Sequence, residues 1–152
     1  MPNINIGLSI QVEGGPQVPV APIKVPVEAY DKIEVSVAKD TDVSVEIQPG
    51  DTGVNFLLIK SSVYTPPDAA DSEKLTYEPE GKQPINLDTP QLYLGADSIA
   101  ILLGSVKTIK LSNRLAVPAG KDPSVVVSVV EILVGRDATP PSTPTSGDSQ
   151  SE

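Results

Sequence analysis

The strongest signal in the chain is a two-residue alternation of apolar and polar positions. It recurs roughly every eight to twelve residues, the spacing of strands in a sandwich or barrel. Ile4, Ile6, Leu8, Ile10 and Val12 alternate with Asn5, Gly7, Ser9 and Gln11, which predicts a strand with one apolar face. Glu13-Gly14-Gly15-Pro16 stops it. Ile33, Val35, Val37 and then Val43, Val45, Ile47 alternate on either side of residues 38–42, a pattern that predicts a hairpin. Residues 54–64, with Phe56-Leu57-Leu58-Ile59, read as a buried strand. Residues 75–77, 85–88, 91–94, 98–103 and 106–111 read as shorter ones. In the run 98–103, Ile99, Ile101 and Leu103 would share one face of a strand. Residues 65–72 make a loop long enough to project from the domain.

The longest β-branched run is residues 124–134, Ser-Val-Val-Val-Ser-Val-Val-Glu-Ile-Leu-Val. Both of its faces are mostly apolar, so it predicts a strand covered on both sides in the middle of a sheet. Glu131 is the discordant residue. It requires either a place at the sheet margin or a buried partner such as Lys107, Lys110 or Arg114.

Pro19, Pro22 and Pro26 punctuate Val18, Val20, Ile23, Val25 and Val27. Each proline removes a ladder donor, so this stretch predicts an extended or edge segment and not a central strand. Two readings follow: a linker laid over the sandwich, or an arm that lies on a neighbouring subunit. Beyond residue 137 the apolar pattern is lost, and the Ser/Thr/Pro-rich residues 138–152 are expected to be disordered. The fold expected is all-β, an antiparallel, jelly-roll-like β-sandwich of about eight to ten short strands without a substantial helix. Its parts are an N-terminal strand and Pro-rich arm (1–27), a sandwich core (28–137) and a tail (138–152).

Composition narrows the chemistry. The 152 residues carry 11 basic and 20 acidic side chains, a net charge of −9. With no Lys/Arg cluster, nucleic acid and anionic membrane surfaces are not expected partners. Histidine and cysteine are both absent, which removes thiolate and imidazole metal sites and Ser-His-Asp or Cys-His catalysis. No cofactor is expected. The N-terminal residues have neither a basic region nor an apolar one of signal-peptide type, so a soluble protein made in the cytoplasm without a signal peptide is expected.

Carboxylates are the reactive groups that remain. Asp68, Asp71 and Glu73 on one loop offer oxygen ligands of the kind calcium uses, without EF-hand spacing. Tyr64, Tyr77 and Tyr93 with loop carboxylates would suit a carbohydrate-binding module. Gly50-Asp51-Thr52-Gly53 resembles the Asp-Thr-Gly of aspartic proteases, and residues 132–137 resemble the second motif of the retroviral-type dimers of that family. A second Asp-Thr-Gly and the hydrophobic residues that precede it in the family are missing, so Asp51 is expected to be a turn residue. No enzyme activity is expected.

Three further stretches, Leu92-Tyr93-Leu94-Gly95, Ile109-Lys110-Leu111-Ser112-Asn113 and Val129-Val130-Glu131-Ile132-Leu133-Val134, resemble small β-sandwich proteins of phage and virus particles. The resemblance implies a structural, capsid-stabilising or particle-decorating role as a symmetric oligomer, with association with a virion as its destination. The expected partners are further copies of the chain and a capsid or shell protein. The expected assembly residues are Val18, Val20, Ile23 and Val25.

Overall fold

The computed structural model describes residues 2–47, 53–104 and 106–137. The elements run β1 (Asn3–Ile6), β2 (Ser9–Gln11), β3 (Gln17–Pro19), β4 (Ile23–Pro26), β5 (Ala29–Ala38), β6 (Thr41–Glu46) and β7 (Gly53–Ser61). They continue with β8 (Leu75–Pro79), β9 (Ile85–Asn86), β10 (Gln91–Leu94), α1 (Ala96–Leu103), β11 (Thr108–Asn113) and β12 (Val127–Asp137), with a 3₁₀ turn at Pro123–Val125 before β12.

Strands β5 to β12 form two antiparallel sheets, ordered β5-β12-β7-β10 and β6-β11-β8-β9. Only β8 and β9 are consecutive strands within one sheet; every other step along the chain crosses to the opposite sheet. That order is the jelly roll, two interlocked Greek keys. The core lies between the sheets. Val37, Leu57, Ile59, Val130, Ile132 and Val134 meet Val45, Leu75, Tyr77, Ile109 and Leu111, all within one buried cluster. Strand β12 sits at the centre of its sheet, paired over ten residues with β5 and over most of its length with β7.

Several expectations change. The long strand begins at Val127 and not at residue 124, because Pro123–Val125 coil into a 3₁₀ turn capped by the Asp122 carboxylate on the Ser124 N–H (2.8 Å). Ser128, Val130, Ile132 and Val134 face the core, whereas Val129, Glu131 and Leu133 lie on a half-exposed outer face. The strand is therefore covered on one side. Glu131 is satisfied by neither the margin nor Lys107, Lys110 or Arg114. It lies mid-strand, between Lys32 of β5 (3.2 Å) and Lys60 of β7 (3.6 Å). The Lys32 hydrogen bond, with Lys60 close by, holds its carboxyl below the usual glutamate value.

Residues 98–103 are helical. Ile99 and Leu103, four apart, are 1% exposed, while Ile101 is 75% exposed. That is the periodicity of a helix face. Gly95 and Gly104 bracket the helix at φ 91° and 73°, where a Cβ would be strained.

The two runs flanking residues 38–42 are not a hairpin, because β5 and β6 lie in different sheets. The corner between them is held by Asn113, which is fully buried. Its Nδ2 donates to the carbonyls of Val37 (2.9 Å) and Val126 (3.3 Å), and its Oδ1 accepts from the Leu115 N–H (3.1 Å). The Asn113 carbonyl accepts from Asp40 N–H at 2.7 Å. Loop 65–72 is anchored at its first residue, while Pro66, Pro67, Asp68 and residues 70–72 are exposed. Thr65 is buried, its hydroxyl bridging the N–H and carbonyl of Leu75 (2.9 and 3.2 Å).

Candidate functional site

The N-terminal strands form no part of either sandwich sheet. β1 pairs with β4, and β2 with β3, as a long antiparallel ribbon. Its turn is Glu13-Gly14-Gly15-Pro16, with Gly14 at φ 71°. The three prolines of the return limb, Pro19, Pro22 and Pro26, are tolerated because a two-stranded ribbon leaves half of its donors unpaired in any case. Ile4 faces Val25 and Ile6 faces Ile23. After a one-residue change of register, Ile10 faces Val18. Cross-strand partners share a face, so each half of the ribbon gathers its apolar side chains on one side.

The expected assembly residues are thereby brought together with a set that the sequence placed in a separate strand. Ile23 and Val25 sit near the root with Ile4 and Ile6, all half-buried. Val18 is 46% exposed, and Leu8, Ile10 and Val12 are 39%, 46% and 52% exposed. Every residue from 7 to 19 is exposed. Val20 is half-buried beside them.

The root is fixed to the sandwich. Val27 N–H donates to the Pro2 carbonyl (3.0 Å), and Glu28 N–H donates to the Arg136 carbonyl (3.0 Å). Successive strand residues direct their N–H groups to opposite edges, so β4 passes into β5 with β1 on one side and β12 on the other. Asn55 Nδ2 donates to the Pro26 carbonyl at 3.0 Å. Beneath this junction lies Gly135, where a Cβ would come within 2.8 Å of Val27 and 2.9 Å of Ile4. Arg136 donates to Asp31 (2.6 Å) and to the Ile47 carbonyl, joining the sheets at the same end.

A second surface lies at the other end of β12. A groove of about 450 Å³ is lined by Val63, Tyr64, Pro66, Leu115, Pro118 and Val125–Val127, with Asp68 and Glu73 on its rim. Val63, Val125 and Val127 are 41%, 59% and 37% exposed. The Tyr64 hydroxyl accepts from Ser61 N–H at 3.1 Å, which fixes the ring. The groove draws on three separated stretches of chain, and no local pattern marks it.

The other candidates disperse. Tyr77 is fully buried between the sheets, its hydroxyl 2.5 Å from that of Tyr93 and 3.1 Å from Gln91 Oε1. Burial, reinforced by the Tyr93 hydrogen bond, pushes its phenol well above the usual tyrosine value. It offers no face to a sugar. Asp71 pairs with Lys74 (2.9 Å), away from Asp68 and Glu73 in the groove rim. Among the described residues no three acidic side chains gather as metal ligands. Asp51 and Thr52 of the Asp-Thr-Gly string, and residues 138–152, lie outside the described residues. Residues 132–137, the second protease-like string, belong to the central strand β12.

No protein-family model matches the chain, and no curated protein matches it. Among the described residues, no helix is long and apolar enough to cross a membrane.

Proposed function

We propose that the protein is a non-enzymatic structural component that self-assembles, or seats on a larger particle such as a capsid, through its N-terminal ribbon. The observation that carries this is the apolar face of that ribbon, formed by Leu8, Ile10, Val12 and Val18 and exposed to solvent. Four large apolar side chains on one slender hairpin are poorly explained by folding, because they bury little against their own chain; exposed apolar patches of this kind mark interaction surfaces. The jelly roll agrees with the reading, since capsid domains use it. Lectins and cupins share the fold, so it does not select among them.

Light scattering across a concentration series tests the proposal. The full chain is expected to run as multimers. A variant with residues 7–19 replaced by a short glycine turn is expected to be monomeric, with an unchanged core melting temperature. A full chain that stays monomeric at every concentration and co-sediments with no particle from its source overturns the proposal.

A second reading, a carbohydrate or calcium-assisted binding module, is favoured by the groove alone. With Tyr77 buried, it would rest on Tyr64, Asp68 and Glu73. A glycan array with and without calcium tests it; no binding in either condition rejects it.

A further inference from the structure

We infer that the ribbon of one copy seats in the Val63–Tyr64–Val125 groove of a second copy, so that the chain assembles head to tail. This rests on the assembly reading above and names the surface that receives the ribbon.

Seven of the exposed large apolar side chains fall into two groups, while Tyr30, Leu92, Ile101 and Leu102 lie elsewhere on the surface. Leu8, Ile10, Val12 and Val18 lie on the ribbon, and Val63, Val125 and Val127 line the groove. Both surfaces lack an apolar partner within the described residues, and they stand at opposite poles. The ribbon root rests on Gly135 and the groove begins at Val127, so β12 separates them by eight residue steps, roughly 26 Å of strand.

The ribbon does not occupy its own groove. β4 passes into β5 through a bend at Glu28, with Val27 and Glu28 both held in main-chain hydrogen bonds. β5 then runs from Ala29, opposite Arg136, to Ala38, opposite Val127, which is toward the groove. The root of the ribbon thus sits at the end of β5 far from the groove, and residues 7–19 are all exposed, so the groove of the same molecule does not cover them. A second copy can supply the ribbon that fills it.

Charge and area fit this occupant. Residues 2–26 contain one acid, Glu13, and one base, Lys24, so the ribbon carries no net charge on a chain of net −9. A neutral ribbon approaches a groove rimmed by Asp68 and Glu73 without the repulsion that two acidic sandwich faces would meet. The four ribbon side chains expose on the order of 300 Å² of apolar surface, within the range of the largest patch on a monomer, which is often functional. Different patches meet in such a contact, so the interface is heterologous and propagates as a ring or filament.

Two single variants test the pairing. Ile10→Asp spoils the ribbon and leaves the groove intact; Val125→Asp does the reverse. Both positions are exposed, and circular dichroism melts should match the parent chain. By light scattering, the parent is expected to grow with concentration beyond a dimer, and each variant alone to stay monomeric. Their equimolar mixture is expected to reach twice the monomer mass and stop, because only one intact ribbon and one intact groove remain per pair. Assembly by Val125→Asp alone overturns the groove pairing while leaving the ribbon as an assembly element. A monomeric mixture from an assembling parent also overturns the pairing. A parent that is monomeric throughout overturns the assembly reading itself.

Discussion

Replacing Asn113 by alanine should cost far more than its modest size suggests. Its side chain makes three hydrogen bonds at a fully buried position, two donated to the carbonyls of Val37 and Val126 and one accepted from Leu115 N–H. A neutral hydrogen bond is worth about 1 kcal/mol net, and a buried group left without its partner costs about 1–3 kcal/mol. Three bonds lost together, with partial relaxation around the gap, give roughly 3–5 kcal/mol. That is a large share of the 5–15 kcal/mol typical of a domain, and it corresponds to a fall in melting temperature of about 10–20 °C. Urea unfolding followed by far-ultraviolet circular dichroism measures it, with the slope m expected to be unchanged. Asn113→Asp retains the acceptor for Leu115 and loses the donor. At neutral pH it should be no better than alanine, and it should recover as acid protonates the new carboxyl and lets it donate to Val37. A loss under about 1 kcal/mol for Asn113→Ala would refute the view that this side chain holds the corner between the sheets.

Three other outcomes follow from the geometry. Ile99→Ala should cost about 2–4 kcal/mol, while Ile101→Lys, two residues on, should change stability by less than about 0.5 kcal/mol; comparable losses from the two, measured by thermal melts, would contradict the helix. Gly135→Ala forces a Cβ against Val27, Ile4 and Phe56; a cost of about 1–3 kcal/mol is expected, with faster proteolytic cleavage of residues 2–26 than in the parent. Glu131→Gln should destabilise at neutral pH and low salt. The Glu131 carboxyl is held below its usual value of 4.5, so its contribution is present above that pH and fades as pH falls through the lower folded value. The parent and the variant should therefore begin to converge as pH falls below 4.5 and meet once it has passed the lower folded value, and they should also converge in molar salt.

The strands were legible because each buries one face, and a period of two survives in Ile33-Val35-Val37 or Val43-Val45-Ile47 whatever the strand pairs with. The pairing was not legible. In a jelly roll nearly every sequence neighbour lies in the opposite sheet, so the runs flanking residues 38–42 look like a hairpin and fold as a corner. The helix was missed because Ile99, Ile101 and Leu103 satisfy strand alternation, while Ile99 and Leu103 also satisfy a four-residue helical step; the flanking glycines at 95 and 104 were the discriminating signal. The partners expected for Glu131 were Lys107, Lys110 or Arg114, bases that precede it in the chain, and the register supplied Lys32 and Lys60 from β5 and β7. Of the candidate site, Val18, Val20, Ile23 and Val25 stood out between prolines. Their pairing with Ile4, Ile6 and Ile10 needed the turn at Gly14-Gly15 to be read as the tip of a ribbon and not the end of a strand. The groove carried no sequence signal, since residues 63–69, 115–118 and 125–127 meet only in three dimensions.

The passage of β4 into β5 through the bend at Glu28 also has a mechanical meaning. Tension applied at the Gly14 tip travels along the return limb and turns at Glu28 into β5. β5 is bound to β12 over ten paired positions, from Ala29 with Arg136 to Ala38 with Val127. A pull from the tip enters the sheet through this edge strand, at the Ala29–Arg136 end of the ladder. β12 in turn is flanked by β7, so the load passes from the edge into the middle of the sheet. A molecule built this way is suited to carrying force between its tip and its body.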